Sequence, residues 1–309
     1  MNETFMALGG LFGLALLYWG AEYLVRGGSA IAARSRVSPL VIGLTLVAFG
    51  TSAPELFVST GAALRGLGDI CIGNVVGSNI CNVALILGVS ALIAPIAVNP
   101  EIFRRDLPIM ILASGLLTAT CLLCGGIGRF AGLLGVIGII AYTVVGIRSA
   151  PARDEPQPPT LSRGAAYLGV IGGLIALIAG AKMILAGAVA IERHFGVPDE
   201  FVALTVVAVG TSMPELATSV VAARKGEADI AIGNVVGSNI FNILGILGAS
   251  ALIRPVASEG MSRVDFGMMI ATAVLLWPLM GARGWLGRCE GFVLLAAFGG
   301  YLAWLIRAM

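Results

Sequence analysis

Long apolar runs separated by short polar segments make up most of this chain. A helix needs roughly 20 apolar residues to cross the hydrocarbon core of a bilayer, and each run is near that length. The pattern therefore predicts an all-α polytopic membrane protein with ten transmembrane helices. We place them at about residues 5–33, 38–64, 70–94, 106–124, 129–149, 164–191, 199–223, 229–253, 265–281 and 287–308.

The composition agrees with a chain that has lipid as its solvent. Of 309 residues, 58% are hydrophobic and only 12% are charged, whereas soluble domains carry about 25% charged residues. The net charge is +2, and the sequence contains no basic run that would favour nucleic acid as a partner. We expect the bilayer as the surroundings, no cofactor and no obligate protein partner. No basic stretch precedes the first run, so we interpret it as a retained span.

Two motifs occur twice, and both pairs are offset by 160 positions. Residues 50–56 read G-T-S-A-P-E-L and residues 210–216 read G-T-S-M-P-E-L. Residues 73–82 and 233–242 share the pattern G-N-V-V-G-S-N-I-x-N. The chain is thus predicted to consist of a first repeat at 1–149, a proline-rich linker at 150–163 and a second repeat at 164–309.

Each repeat has five predicted spans, which is an odd number. Two homologous halves of this kind enter the membrane from opposite sides, so we expect an inverted repeat, as in many secondary transporters. Lys and Arg residues are more numerous on the side of the linker. By the positive-inside rule, both termini are predicted to be outside and the linker in the cytoplasm.

Two carboxylates, Glu55 and Glu215, fall in the middle of predicted spans. A charge at this depth costs at least about 2.5 kcal/mol on insertion scales and indicates a functional site. Each follows a proline, Pro54 or Pro214, which removes a helical hydrogen bond. We therefore expect broken helices around the motifs, namely helices 2, 3, 7 and 8, with backbone carbonyls facing a cavity.

Oxygen atoms dominate the polar side chains of both motifs. Hydroxyls and amides accompany the two glutamates, and hard cations such as Ca2+ take six to eight oxygen ligands. A hydroxyl in a membrane helix usually bonds its own backbone, and G-x-x-x-G is typical of helix packing. Neither explanation accounts for a duplicated buried glutamate, so the residues indicate a cation site between the halves.

These duplicated motifs resemble the α-repeats of the sodium/calcium exchanger family, within the Ca2+/cation antiporter superfamily. The resemblance covers the full chain and implies alternating access, with Ca2+ held between Glu55 and Glu215. It implies further ligands for Na+ and Ca2+ from hydroxyls, amides and two backbone oxygens. These ligands are Thr51, Ser52, Ser78, Asn82, Thr211, Ser212, Ser238 and Asn242, with the carbonyls of Ala48 and Ala208.

One departure from the family pattern concerns Asn82 and Asn242, because some members carry Asp at one of these places. With two carboxylates rather than three, the site has less charge for additional Na+. We hypothesise a changed stoichiometry or H+ as the driving ion. An H+/Ca2+ antiporter using the same glutamates is therefore the alternative to Ca2+/Na+ exchange.

Two classes of function from outside the antiporters remain to be weighed. A cation channel is a remote alternative, because channels commonly build their pores from several subunits. A membrane enzyme ranks last, since the sequence lacks H-E-x-x-H and G-x-S-x-G motifs. We therefore predict a secondary active transporter and not an enzyme. The compact architecture without regulatory domains implies a prokaryotic inner membrane.

A charged residue lies at the same place in the first span of each half, Glu22 and Lys182. Charges within a membrane are usually paired, so one hypothesis is an ion pair across the axis between the halves. The alternative is that both side chains reach opposite interfaces independently.

Overall fold

The structure is a computed structural model that describes residues 3–35, 37–149, 161–194, 208–281 and 284–308. Most of the predicted linker at 150–163 lies outside these ranges. The beginning of the predicted seventh span, at 199–207, lies outside them too.

Helices make up nearly all of the described chain, and their bounds lie within a few residues of the predicted ones. The first half contains α1 (Glu3–Ser35), α2a (Pro39–Thr51), α2b (Ala53–Arg65), α3 (Gly68–Ile93), α4 (Ile102–Cys124) and α5 (Arg129–Ser149). The second half contains α6 (Arg163–His194), α7a (Ala208–Thr211), α7b (Met213–Arg224), α8 (Ala228–Ile253), α9 (Arg263–Gly281) and α10 (Arg288–Ala308).

The mostly helical membrane fold is confirmed. Within the described residues, seven helices are long and apolar enough to cross a bilayer, and the bent pair α2a–α2b raises the number to eight. The number of ten spans stays a prediction. The central helices are α3 and α8, whose apolar stretches are 72% and 89% buried, whereas those of α5 and α10 are 22% and 17% buried.

The second helix breaks at Ser52, where the backbone leaves helical geometry (φ −79°, ψ 9°) and α2a and α2b meet at a bend of 49°. Pro54 lies in the first turn of α2b, where a missing N–H costs nothing. Ser212 forms the same break (φ −86°, ψ 6°) between α7a and α7b. These breaks agree with the prediction.

The prediction of breaks in helices 3 and 8 was wrong. Both α3 and α8 are continuous, and each contains a π-helical turn, Cys81–Leu87 and Phe241–Ile246 respectively. Neither segment contains a proline. The backbone hydrogen bonds therefore shift to wider i→i+5 rings instead of being lost, and such turns frequently mark functional sites.

Helices α1 and α6 pack against each other in antiparallel fashion through glycines. A Cβ on Gly20 would lie 2.9 Å from the carbonyl oxygen of Gly173, and a Cβ on Gly13 would lie 2.9 Å from that of Gly180. Adding 160 to the numbers of Gly13 and Gly20 gives Gly173 and Gly180. The two close approaches are therefore exchanged by a pseudo-twofold axis, as an inverted repeat requires.

The hypothesised pair between Glu22 and Lys182 is not observed. The Glu22 carboxylate lies 2.6 Å from Nζ of Lys225 and 2.8 Å from the guanidinium of Arg26. The antiparallel packing explains this result, because it carries equivalent positions on α1 and α6 towards opposite ends of the bundle. Lys182 is exposed.

Two small antiparallel strand pairs connect the halves at the ends of the helices. Strand β1 (Ile96–Ala97) pairs with β4 (Trp285–Leu286), and β2 (Gly126–Ile127) pairs with β3 (Val256–Ala257). Each pair takes one strand from each half. The loops of one half are therefore completed by hydrogen bonds from the other.

A tyrosine–aspartate hydrogen bond connects the last two helices of each half. Asp106, on α4, is fully buried and accepts a hydrogen bond from the hydroxyl of Tyr142 at 3.0 Å, besides contacting Arg105. In the second half, the hydroxyl of Tyr301 donates to Asp265 at 2.7 Å. These bonds fix the position of α5 against α4 and of α10 against α9.

Candidate ion-binding site

Two buried glutamates lie at the centre of the candidate site. Glu55 is in the first turn of α2b and Glu215 in the first turn of α7b, and each is 1% exposed. The helix breaks just before them create new helix N-termini within the bundle. Such an N-terminus carries partial positive charge, which stabilises a nearby carboxylate.

Serines at the two helix breaks cross over to the opposite glutamates. Ser52 donates to Oε1 of Glu215 at 2.9 Å, and Ser212 donates to Oε1 of Glu55 at 3.2 Å. The two breaks therefore face each other across the pseudo-twofold axis. Each carboxylate thus accepts a hydrogen bond from the half that does not contain it.

Hydroxyls from α3 and α8 both reach the broken second helix. Ser78 donates to Oε1 of Glu55 at 3.4 Å, and Ser238 donates to the carbonyl oxygen of Ala48 at 3.4 Å. The hydroxyl of Thr51 lies 3.0 Å from the carbonyl oxygen of Val47 on its own helix. It also lies 3.1 Å from the side-chain oxygen of Asn234 on α8, so it is not limited to bonding its own backbone.

Four asparagines connect α3 with α8 beside the glutamates. Asn82 donates from Nδ2 to Oδ1 of Asn239 at 2.9 Å, and Asn242 donates to Oδ1 of Asn79 at 3.1 Å. The two bonds are related by the pseudo-twofold axis. Because each amide nitrogen is used between the helices, the remaining side-chain oxygens of Asn82 and Asn242 are held in place.

Four buried oxygens on the predicted ligand residues accept no hydrogen bond from the described part of the protein. They are Oε2 of Glu55, Oε2 of Glu215, Oδ1 of Asn82 and Oδ1 of Asn242. Buried polar atoms in proteins almost always have a partner, and leaving one without a partner costs about 1–3 kcal/mol. Two carboxylate and two amide oxygens form a ligand set that suits a hard cation.

The structure brings the predicted site residues together. All those whose side chains are described are buried in this region: Ala48, Thr51, Ser52, Glu55, Ser78, Asn82, Thr211, Ser212, Glu215, Ser238 and Asn242. Ala208 begins α7a, and its side chain lies outside the described ones. Whether these residues bind ions stays a prediction at this point.

Sequence reasoning missed a pair of asparagines that fix the backbone of the glutamates. Asn74 donates to the carbonyl oxygen of Glu55 at 3.3 Å and to the hydroxyl of Ser59 at 2.9 Å. Asn234 makes the same bonds to Glu215 at 3.2 Å and Ser219 at 3.0 Å. The signal was available, because both pairs recur at the 160-residue offset.

Comparison with known proteins adds to this geometry. The family model described as "Sodium/calcium exchanger protein" matches residues 5–147 and 165–307. The chain belongs to the sodium/calcium exchanger family. The two matched segments are the two halves that carry the duplicated motifs.

Relatives of this exchanger family are similar over nearly their whole length. A putative antiporter, CaxA of Alkalimonas amylolytica, is 42% identical over 305 residues, covering 94% of this chain and 95% of the relative. The inner membrane protein YrbG of Escherichia coli is 33% identical over 309 residues, covering 96% and 94%. A solved structure of the sodium-calcium exchanger NCX_Mj, soaked with Na+ and Ca2+, matches with a TM-score of 0.86 and 32% identity. It covers 97% of this chain and 98% of that one.

Proposed function

We propose that this protein exchanges Ca2+ for Na+ across a membrane, with both ions bound in turn at Glu55 and Glu215. The observation that carries the proposal is the set of four buried oxygens without a hydrogen-bond donor in the described chain. Two carboxylates supply two negative charges, which match one Ca2+. The family membership of the chain supports the choice of ions.

The remaining ligands come from hydroxyls, amides and backbone carbonyls. Within the described residues, no cluster of three or more His, Cys, Asp or Glu side chains is present. Thr51, Ser52 and the carbonyl of Ala48 lie on one side, and their counterparts Thr211, Ser212 and Ala208 occupy the equivalent positions. Na+ also prefers hydroxyl and carbonyl oxygens, so the two ions compete for overlapping sites.

Alternating access follows from the inverted repeat. We propose that α1 and α6 move together against the remaining helices, opening the site to one side at a time. Their contact through Gly13, Gly20, Gly173 and Gly180 is close enough for the pair to move as one body. The site itself is held by α2b, α3, α7b and α8, which stay together.

The decisive experiment is radioactive Ca2+ uptake into proteoliposomes loaded with Na+ and diluted into Na+-free buffer at constant pH. Uptake should require internal Na+ and should disappear in Glu55→Gln and in Glu215→Gln. Glu259→Gln is the matched control, because Glu259 lies in an exposed loop, and it should retain uptake. Uptake that persists in either site variant would contradict the proposal.

The same vesicles test the coupling ion. Because Asn82 and Asn242 leave only two carboxylates, protons are the alternative driving ion. Uptake driven by an acid interior without Na+ would replace Na+ by H+ in the proposal. A channel would carry Ca2+ without accelerated counterflow when unlabelled Ca2+ is on the opposite side, whereas an exchanger shows such counterflow.

We further propose an inner-membrane location with the linker in the cytoplasm and both termini outside. Basic residues at helix ends support this orientation through the positive-inside rule. The predicted spans assign twelve basic residues to the linker's side and six to the other side; the twelve are Arg26, Arg34, Arg36, Arg104, Arg105, Arg148, Arg153, Arg163, Arg224, Lys225, Arg283 and Arg288. Labelling of a cysteine placed at position 156 by a membrane-impermeant thiol reagent should occur only after the cells are opened.

A further inference from the structure

An ion pair connects α1 with the loop that follows α7b. Nζ of Lys225 lies 2.6 Å from the Glu22 carboxylate, whose side chain is only 11% exposed, and Arg26 contacts the same oxygen at 2.8 Å. One turn further along α1, Ser29 donates to the carboxylate of Glu227 at 2.8 Å. We name this group of contacts the latch, and the end of the bundle that contains it the Lys225 end.

The latch joins two parts of the molecule that have different roles. Glu22, Arg26 and Ser29 belong to α1, which packs on α6 through glycines. Lys225 and Glu227 belong to the segment between α7b and α8, the two helices that carry half of the candidate site. The latch therefore connects the α1–α6 pair to the site-bearing helices.

At the other end of the molecule, the positions related to the latch by the pseudo-twofold axis carry two like charges instead of an ion pair. Position 182 is equivalent to Glu22 and is a lysine, and position 65 is equivalent to Lys225 and is an arginine. Leu67 takes the place of Glu227. At this Arg65 end, Arg254 adds further positive charge. Its guanidinium lies beside Gly66, 2.7 Å from the position that a Cβ on this glycine would occupy. Lys182 and Arg65 are both exposed.

The helix packing also differs between the Lys225 end and the Arg65 end. At the Lys225 end, α1 packs extensively along α7b. Among the residues that the structure describes, the equivalent helices α6 and α2b do not pack to a comparable extent. In the described part of the chain, α1 therefore closes the Lys225 end, and no comparable closure by α6 is seen at the Arg65 end.

We propose that the latch of Glu22 with Lys225 favours the state in which the Lys225 end is closed, and that Lys182 and Arg65 disfavour closure of the opposite end. This proposal rests on the alternating access proposed above, in which closing one end opens the other. Closure of the Arg65 end brings two like charges together where the Lys225 end has an attractive pair. The two resting states of the exchanger are therefore unequal in free energy despite the internal symmetry.

Two substitutions of opposite chemistry should shift this equilibrium in the same direction. Glu22→Gln removes the attraction at the Lys225 end. Lys182→Glu replaces repulsion from Arg65 by attraction at the other end. A partly exposed ion pair changes an equilibrium by up to about fivefold, so each variant should raise the ratio of open to closed Lys225 end by about fivefold.

The test is a distance measurement by electron–electron double resonance in the full-length protein. Spin labels are attached at Ser35→Cys on α1 and Arg288→Cys on α10, in a background whose five native cysteines are replaced by alanine. Both label positions are exposed and lie at the Lys225 end. Glu22→Gln and Lys182→Glu should each increase the longer-distance population, and the control Glu259→Gln should leave the distribution unchanged.

The outcomes separate the latch from the proposed function, because Ca2+ uptake is measured on the same variants without labels. Unchanged distances in both variants, with Ca2+ exchange intact, would overturn the latch alone. A shift in Glu22→Gln without one in Lys182→Glu would overturn it too, because the two ends would then be uncoupled. Shifted distances in a protein that does not exchange Ca2+ would support the latch and remove the proposed function.

Discussion

Asn82 donates a hydrogen bond to the side-chain oxygen of Asn239 across 2.9 Å, joining the two central helices of the bundle. Asn82 lies in the π-helical turn of α3, where the wider i→i+5 turn changes the direction of the side chains that follow. The bond leaves Oδ1 of Asn82 buried and without a donor in the described chain. Asn82 is thereby both a connection between the halves and a candidate ligand.

Replacing this amide tests both roles. Asn82→Ala should lower the apparent affinity for Ca2+ by about tenfold, which corresponds to about 1.4 kcal/mol, because a ligand oxygen and a bond between helices are lost together. The measurement is the Ca2+ concentration for half-maximal Na+-driven uptake. Asn99→Ala, in a loop outside the site, is the control. An equal loss in both variants would contradict the assignment of Asn82 to the site.

An asparagine donates a hydrogen bond to the backbone carbonyl oxygen of each glutamate. The hydrogen bonds described above do not connect this asparagine with the carboxylate. Asn74→Ala should therefore reduce the maximal rate of exchange, because the carbonyl oxygen of Glu55 and the hydroxyl of Ser59 lose their common donor. Asn234→Ala should have an effect of similar size, since its bonds are equivalent. Initial rates of uptake at saturating Ca2+ check this expectation, and wild-type rates in both variants would refute it.

The glycine contact between α1 and α6 predicts a difference between two neighbouring residues. A Cβ on Gly173 would lie 2.7 Å from the carbonyl oxygen of Gly20, whereas a Cβ on Gly172 meets nothing within 4 Å. Gly173→Ala should destabilise the protein by about 1–3 kcal/mol, the usual cost of overpacking, and Gly172→Ala should not. Thermal unfolding in detergent measures both. Equal melting temperatures would show that the helices adjust without cost.

The partly buried tyrosine–aspartate bonds predict an additive loss of stability. Tyr142→Phe leaves Asp106 without one of its donors, and Tyr301→Phe does the same to Asp265. Each should lower the free energy of unfolding by about 1–2 kcal/mol. The pairs lie in different halves with no shared partner, so the double variant should show the sum of the two losses. A double variant as stable as either single one would contradict this expectation.

Much of the fold was predictable because the bilayer imposes a strict rule on the sequence. Long apolar runs set the helix bounds, the 160-residue offset between Glu55 and Glu215 indicated the repeat, and the odd number of predicted spans in each half indicated its inversion. Pro54 and Pro214 marked the breaks correctly, since proline removes a specific hydrogen bond. No comparable signal exists for a π-helical turn, and for this reason α3 and α8 were wrongly expected to be broken.

The sequence predicted which residues belong to the candidate site, but it did not predict which residues they contact. The motif residues Ser52 and Ser212 were predicted to belong to the site, yet their crossing to the opposite glutamates depends on how the halves dock. The partner of Glu22 was also missed, because Lys225 lies 203 positions away and only the antiparallel packing of α1 and α6 shows which end each residue reaches. The roles of Asn74 and Asn234 depend on backbone carbonyls, which a sequence pattern does not reveal.

The strand pairs β1–β4 and β2–β3 have a consequence for the origin of the chain. A single half would have two unpaired strand edges at the membrane surface. The side-chain donors of Ser52 and Asn82 would also lack their hydrogen-bond acceptors. A second, identical half inserted upside down would supply every one of them, since each of these bonds has a twofold counterpart. The architecture thus permits an ancestor made of two separate copies of one short protein. The contact of Glu22 with Lys225 has no such counterpart among the described residues, because Lys182 and Arg65 stand at the equivalent positions, so it requires two halves of different sequence.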